Sequence, residues 1–136
     1  MPYLTGIILA LGVSGLATLI GLDRERAFYP TVLMVIASYY VLFAVMGGSG
    51  HALVVETLVM TGFLLAALIG FKKNLWLVVA ALAGHGVFDI FHGRAVANPG
   101  VPGWWPAFCL TYDITAAAFL AWLLRRLPHS VSSSGQ

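Results

Sequence analysis

Five acidic or imidazole side chains stand in stretches that are otherwise apolar: Glu56, His85, Asp89, His92 and Asp113. An ionised carboxylate at bilayer depth costs several kcal/mol unless it has a partner, so acids placed there need a partner, a proton or a task. His85, Asp89 and His92 stand at i, i+4 and i+7. At about 100° per residue they fall within roughly 60° of one another on one helix face. Side chains of this kind move protons or hold a metal. A carboxyl group kept neutral in apolar surroundings can donate a proton, and a nearby imidazole can take one back. Two histidines and a carboxylate, here His85, Asp89 and His92, also form a known facial set for Zn²⁺ or Fe²⁺, with Glu56 or Asp113 reaching in from neighbouring helices.

The elements that must position these residues follow from composition. Of 136 residues, 60% are hydrophobic and 9% charged, against about 25% charged in an ordinary soluble domain. Mean hydropathy is +0.94. Such a chain cannot build a polar surface, which excludes a soluble enzyme, a disordered segment and a nucleic-acid binder, and leaves a multi-pass membrane protein. Five apolar stretches, at about 3–21, 29–46, 52–71, 75–92 and 105–124, each approach the roughly 20 residues that a helix needs to cross the hydrocarbon layer. Unpaired backbone groups are not tolerated in lipid, so the expected fold is all-α, a compact five-helix bundle within residues 1–127. A disordered tail is expected over 128–136. The first stretch lacks a basic leader and a small-residue cleavage site, and reads as a retained helix rather than a signal peptide.

Arg24, Arg26, Lys72, Lys73, Arg125 and Arg126 follow odd-numbered stretches, and Arg94 alone follows an even one. Cytoplasmic loops collect Lys and Arg, so the N-terminus is expected outside and the C-terminus in the cytoplasm, across the cell (inner) membrane. In this orientation Glu56, His85 and Asp113 lie roughly 6, 10 and 12 Å below the outer surface, one layer on three helices. Cys109, one turn from Asp113, shares its face, and His51 is expected at the rim. A Gly- and Pro-rich loop over 93–103 covers the layer. Trp104 and Trp105 suit an interfacial belt or a pocket wall. Phe88, Phe91, Phe108 and Tyr112 suit bundle packing or a pocket for a flat lipophilic molecule, where their faces would steady a cationic intermediate. Tyr39 and Tyr40 add hydroxyls near mid-membrane, while Ser38 and Thr57 are expected to bond backbone carbonyls. Small residues, including Gly6, Gly12 and Gly15 and the series Gly62, Ala66, Gly70, would let helices approach closely, within the chain or in a homo-oligomer.

The run from His85 to Trp122 resembles the uncharacterised small membrane proteins of the DUF6010 family. The resemblance rests on His85-x3-Asp89-x2-His92, on Pro99-x2-Pro102, and on Cys109-x3-Asp113, with Glu56 as the acid of the middle span. The chain departs from that pattern at Gly93, where a second histidine would follow His92. The resemblance implies a shared fold and polar site but no activity, so function has to be argued from the site itself.

Three readings compete. The first is an intramembrane enzyme acting on a lipophilic small molecule by acid–base or metal-assisted chemistry, of isomerase, cyclase or hydrolase type. Asp89 and Asp113 are its candidate acid and base, His85 and His92 orient them or bind metal, and Glu56 is the third-helix partner. Cys109, Tyr112, Phe88, Trp104 and Trp105 would line its pocket. The second is a proton or metal-ion transporter built on the same cluster, which needs a polar path through the inner half from Tyr39, Tyr40 or Thr61. The third is a set of buried pairs that only fixes helix register.

Overall fold

The protein is described here by a computed structural model covering residues 1–126; the tail expected over 128–136 lies outside the described residues. Among the described residues there is no strand, and five helices are long and apolar enough to cross a membrane. They are α1 (Pro2–Ile20), α2 (Phe28–Met46), α3 (Gly50–Lys72), α4 (Leu75–Ala95) and α5 (Trp105–Arg126). Each lies within three residues of its sequence-based bounds. The largest difference is at the end of α4, which carries its last turn through Gly93 and Arg94 to Ala95. The covering loop therefore starts later than expected, at Val96.

Local chemistry sets the ends. Pro2 opens α1, where its missing N–H costs nothing. Gly21 closes it with φ at 83°, a left-handed conformation that glycine adopts without strain. Ser49 caps α3 by accepting from the Ala52 amide at 3.2 Å, and Asn74 caps α4 by accepting from Trp76 at 2.9 Å. Arg26 is buried between α1 and α2 and donates to the last carbonyls of α3, those of Phe71 at 2.7 and 3.0 Å and Gly70 at 3.4 Å. A cation there also complements the negative end of the α3 dipole. The ends of α1 and α3 thus share one end of the bundle. Ser38 and Thr57 bond the carbonyls of Val35 and Leu53, both at 2.6 Å, as expected.

Helix α5 packs closely against both α4 and α1; α2 packs on α3, α3 on α4, and α2 touches α4 more lightly. The small residues divide between two roles. A methyl group at Gly6 would run into Thr111 and the Phe108 carbonyl on α5, and one at Gly70 would press on Val78 of α4. These two glycines hold helices of the same chain together, whereas Gly12, Gly15 and Gly62 face open space. The apolar core fills the half of the bundle nearer Arg26, with Leu33, Val78, Leu82 and Leu120 almost wholly enclosed. Glu56, His85, Asp89, His92 and Asp113 occupy the other half, under the loop.

Candidate functional site

Glu56, His85, Asp89, His92 and Asp113 are each at most 2% exposed and converge in the bundle interior. Helical periodicity delivers this arrangement: positions 85, 89 and 92 form the inward stripe of α4, and 109, 113, 116 and 120 that of α5. The single layer expected from depth resolves into two tiers.

The deeper tier joins α4 to α5. His85 Nδ1 lies 2.6 Å from Asp113 Oδ2 and 3.7 Å from Asp89 Oδ2. Cys109 Sγ lies 3.7 Å from the same Asp113 oxygen. One ligand atom from each of His85, Asp89, Cys109 and Asp113 falls within 4.8 Å of all the others. The outer tier joins α4 to α3: His92 Nε2 meets Glu56 Oε1 at 2.6 Å, and the Asn98 side-chain amide donates to that oxygen at 3.0 Å. His92 therefore pairs with Glu56 rather than joining His85 and Asp89 in a facial set, and Cys109 stands with those two instead. The cause is geometric. His92 sits two turns above His85, level with the start of α3, while α5 supplies Cys109 and Asp113 opposite the lower turns.

Tyr40 of α2 spans both tiers. Its hydroxyl donates to Asp89 Oδ1 at 2.5 Å, its ring stacks on His92 with centroids 3.8 Å apart, and its carbonyl accepts from Asn98 at 3.0 Å. Asn98 escaped the sequence reading, because a polar residue before proline in a Gly/Pro loop has the composition of a turn and nothing more. It does make that turn, accepting from the Gly100 amide at 3.2 Å, while its amide group reaches the site. Gly100 presses against the Phe43 carbonyl and Gly47, so the loop is docked on the end of α2 without room for side chains.

Three carboxyl oxygens in the two tiers have no hydrogen-bond partner: Glu56 Oε2, Asp89 Oδ2 and Asp113 Oδ1. Three acids face two histidines. Even with both histidines protonated, one carboxyl group lacks a counter-charge and must carry a proton or face a cation.

Two hollows reach the site. A groove of about 390 Å³ between α2 and α5, with Leu9 of α1 at its edge, is walled by Val35, Tyr39, Trp105, Phe108 and Tyr112 and has Cys109 in its lining. It is almost wholly apolar, and Cys109 is its link to the deeper tier. A second hollow, of about 580 Å³, lies beneath the loop, lined by prolines and by His92 and Asn98 of the outer tier.

The aromatic residues divide accordingly. Trp105 is buried against Tyr39 and Phe43 and belongs to the groove, whereas Trp104 is 54% exposed and edges a shallow hollow beside Pro2 and Thr5. Phe88 faces away from the groove, wedged against Tyr40, Phe63 and His92, and Phe91 is exposed on the outer face of α4. His51 is exposed at the first turn of α3 and takes no part in either tier. No family model, no curated protein and no solved structure matches this chain.

Proposed function

We propose that the protein is an intramembrane enzyme that performs proton-transfer chemistry on a lipophilic small molecule. The observation that carries this reading is the place of Cys109, which is at once part of the groove lining and in contact with Asp113. A molecule in the groove lies one side chain from a buried acid–base cluster, in surroundings that exclude water and strengthen every charge within them. Asp89 and Asp113 are the acid and base: Asp113 exchanges a proton with the bound molecule through the Cys109 thiol that lines the groove, and His85 passes the proton between Asp113 and Asp89. Tyr39, Trp105 and Tyr112 offer ring faces to any positive charge that develops on the substrate. Isomerisation of a double bond, cyclisation or hydrolysis are the reactions such a set serves. Glu56 and His92, beside the loop hollow, connect the cluster to the aqueous side.

We read that loop as lying outside and the C-terminus as cytoplasmic, across the cell membrane, a reading supported by six basic residues at one end against Arg94 at the other. The site then opens on the outer leaflet. We also read the chain as a relative of the DUF6010 proteins, on the same His85, Asp89, His92, Cys109 and Asp113. The transporter reading has less support. Tyr40 belongs to the cluster, Tyr39 faces the groove, and Thr61 is exposed and bonds the Thr57 carbonyl. Leu33, Val78, Leu82 and Leu120 are buried in the interior beyond His85.

The groove is tested by what it holds. Wild-type protein purified in detergent is expected to carry one lipophilic compound, recovered in an organic extract and seen by mass spectrometry. Cys109→Trp, which fills the groove, is expected to lose it at least tenfold. Identical extracts of bulk membrane lipid from both proteins would remove the basis for a substrate groove.

A further inference from the structure

The deeper tier has a donor set that a proton-transfer dyad does not need. It holds an imidazole, a thiol and two carboxyl groups from two helices, all at most 2% exposed, with ligand atoms within 4.8 Å of one another. Tetrahedral Zn²⁺, bound at about 2.0–2.3 Å to N, O and S donors, sets those donors about 3.3–3.8 Å apart. The tier is already near that size, with two of its pairs at 3.7 Å. The 2.6 Å contact between His85 and Asp113 is a hydrogen-bond distance, and a cation taking the proton's place would spread it.

Two further observations point to a ligand. Asp89 Oδ2 and Asp113 Oδ1 are buried with no hydrogen-bond partner, although each side chain has its other oxygen bonded. The hydrogen bond from Tyr40 to Asp89 is a support of the kind that fixes a metal-binding group in place, and it comes from outside the tier. A divalent cation would also offset two of the three negative charges that the two carboxylates and a deprotonated Cys109 carry, while the Tyr40 hydroxyl supports Asp89.

We propose that His85, Asp89, Cys109 and Asp113 form a binding site for one Zn²⁺-type divalent cation. Nitrogen and sulfur donors together favour a borderline metal such as zinc over Mg²⁺ or Ca²⁺, which take oxygen ligands. His92 is not a ligand, and its pair with Glu56 stays intact when the cation binds. The proposal deepens the functional reading and rests on it only in taking this tier as the working centre. In the metal-free protein Asp89 and Asp113 exchange protons, and in the loaded protein they hold the cation, whose charge takes over the polarising role at the same site.

The test uses full-length protein purified in detergent, dialysed against chelator, reloaded with ZnCl₂ and analysed by plasma mass spectrometry. Wild type and His92→Ala should each hold about one zinc per chain, and Asp113→Asn less than one tenth of that. A second readout guards against a variant that fails to fold. Cobalt-loaded wild type should show thiolate-to-cobalt charge-transfer absorption in the near ultraviolet. Cys109→Ser should lose that band and keep the weaker visible bands of bound cobalt. Wild type that takes up neither metal overturns the proposal, as does zinc lost in His92→Ala but kept in Asp113→Asn. The two readings fail separately: metal-free wild type whose turnover still depends on Asp113 removes only the cation, whereas bound zinc with turnover indifferent to Asp113 removes only the acid–base role.

Discussion

Tyr40 is the side chain on which the two tiers meet. Its hydroxyl holds one oxygen of Asp89, its ring covers His92, and its carbonyl anchors Asn98. Tyr40→Phe keeps the ring and removes the hydroxyl, which leaves Asp89 Oδ1 buried without a donor. Losing such a bond costs about 1–3 kcal/mol, so the melting temperature in detergent should fall by several degrees. An unchanged melting temperature would mean that the hydroxyl does not restrain Asp89. At this scale the sequence was informative where one helix decides the outcome. His85, Asp89 and His92 are visibly on one face because 3.6-residue periodicity fixes that without reference to any neighbour. That His92 meets Glu56 while His85 meets Asp113 depends on the height and rotation of α3 and α5, which no local pattern encodes. Asn98 left no signal, since the reach of a loop residue is set by where its loop docks.

The loop between α4 and α5 is the element that closes the outer tier. It is held on the end of α2 because Gly47 and Gly100 let two backbones touch. Gly100→Ala would drive a methyl group into the Phe43 carbonyl, lift the loop and draw Asn98 away from Glu56. Overpacking of this kind costs about 1–3 kcal/mol. Gly103→Ala is the control, because a methyl group there meets nothing within 4 Å. Thermal melting should show a clear loss for the first and a change near zero for the second. Equal effects would show that the docking does not restrain the loop. The helices themselves were legible to within a turn, since a run of about twenty apolar residues ended by charge, Gly or Asn leaves few alternatives in a bilayer. The extra turn of α4 was not, because Gly93 and Arg94 look like a stop and helix geometry tolerates both.

At the scale of the whole molecule the bundle is asymmetric. Its charged end is held by Arg26 on the last carbonyls of α3, its middle by aliphatic packing, and its other end by the polar tiers and the loop. The composition alone announced a membrane bundle. It could not announce the groove, which exists because α2 and α5 approach without packing closely along their length. Orientation is tested with cysteines introduced into a Cys109→Ser background. Lys73→Cys should react with a membrane-impermeant maleimide only from the cytoplasmic side, and Ala97→Cys only from outside. The reverse pattern would put the site on the inner leaflet.

The central claim is that the buried carboxyl groups transform a lipophilic molecule. The most direct measurement compares lipid extracts, by mass spectrometry, from membranes containing wild-type protein or Asp113→Asn at equal, folded amounts. At least one lipophilic compound should be converted by wild type and accumulate unconverted, by tenfold or more, with the variant. Indistinguishable extracts would contradict the account.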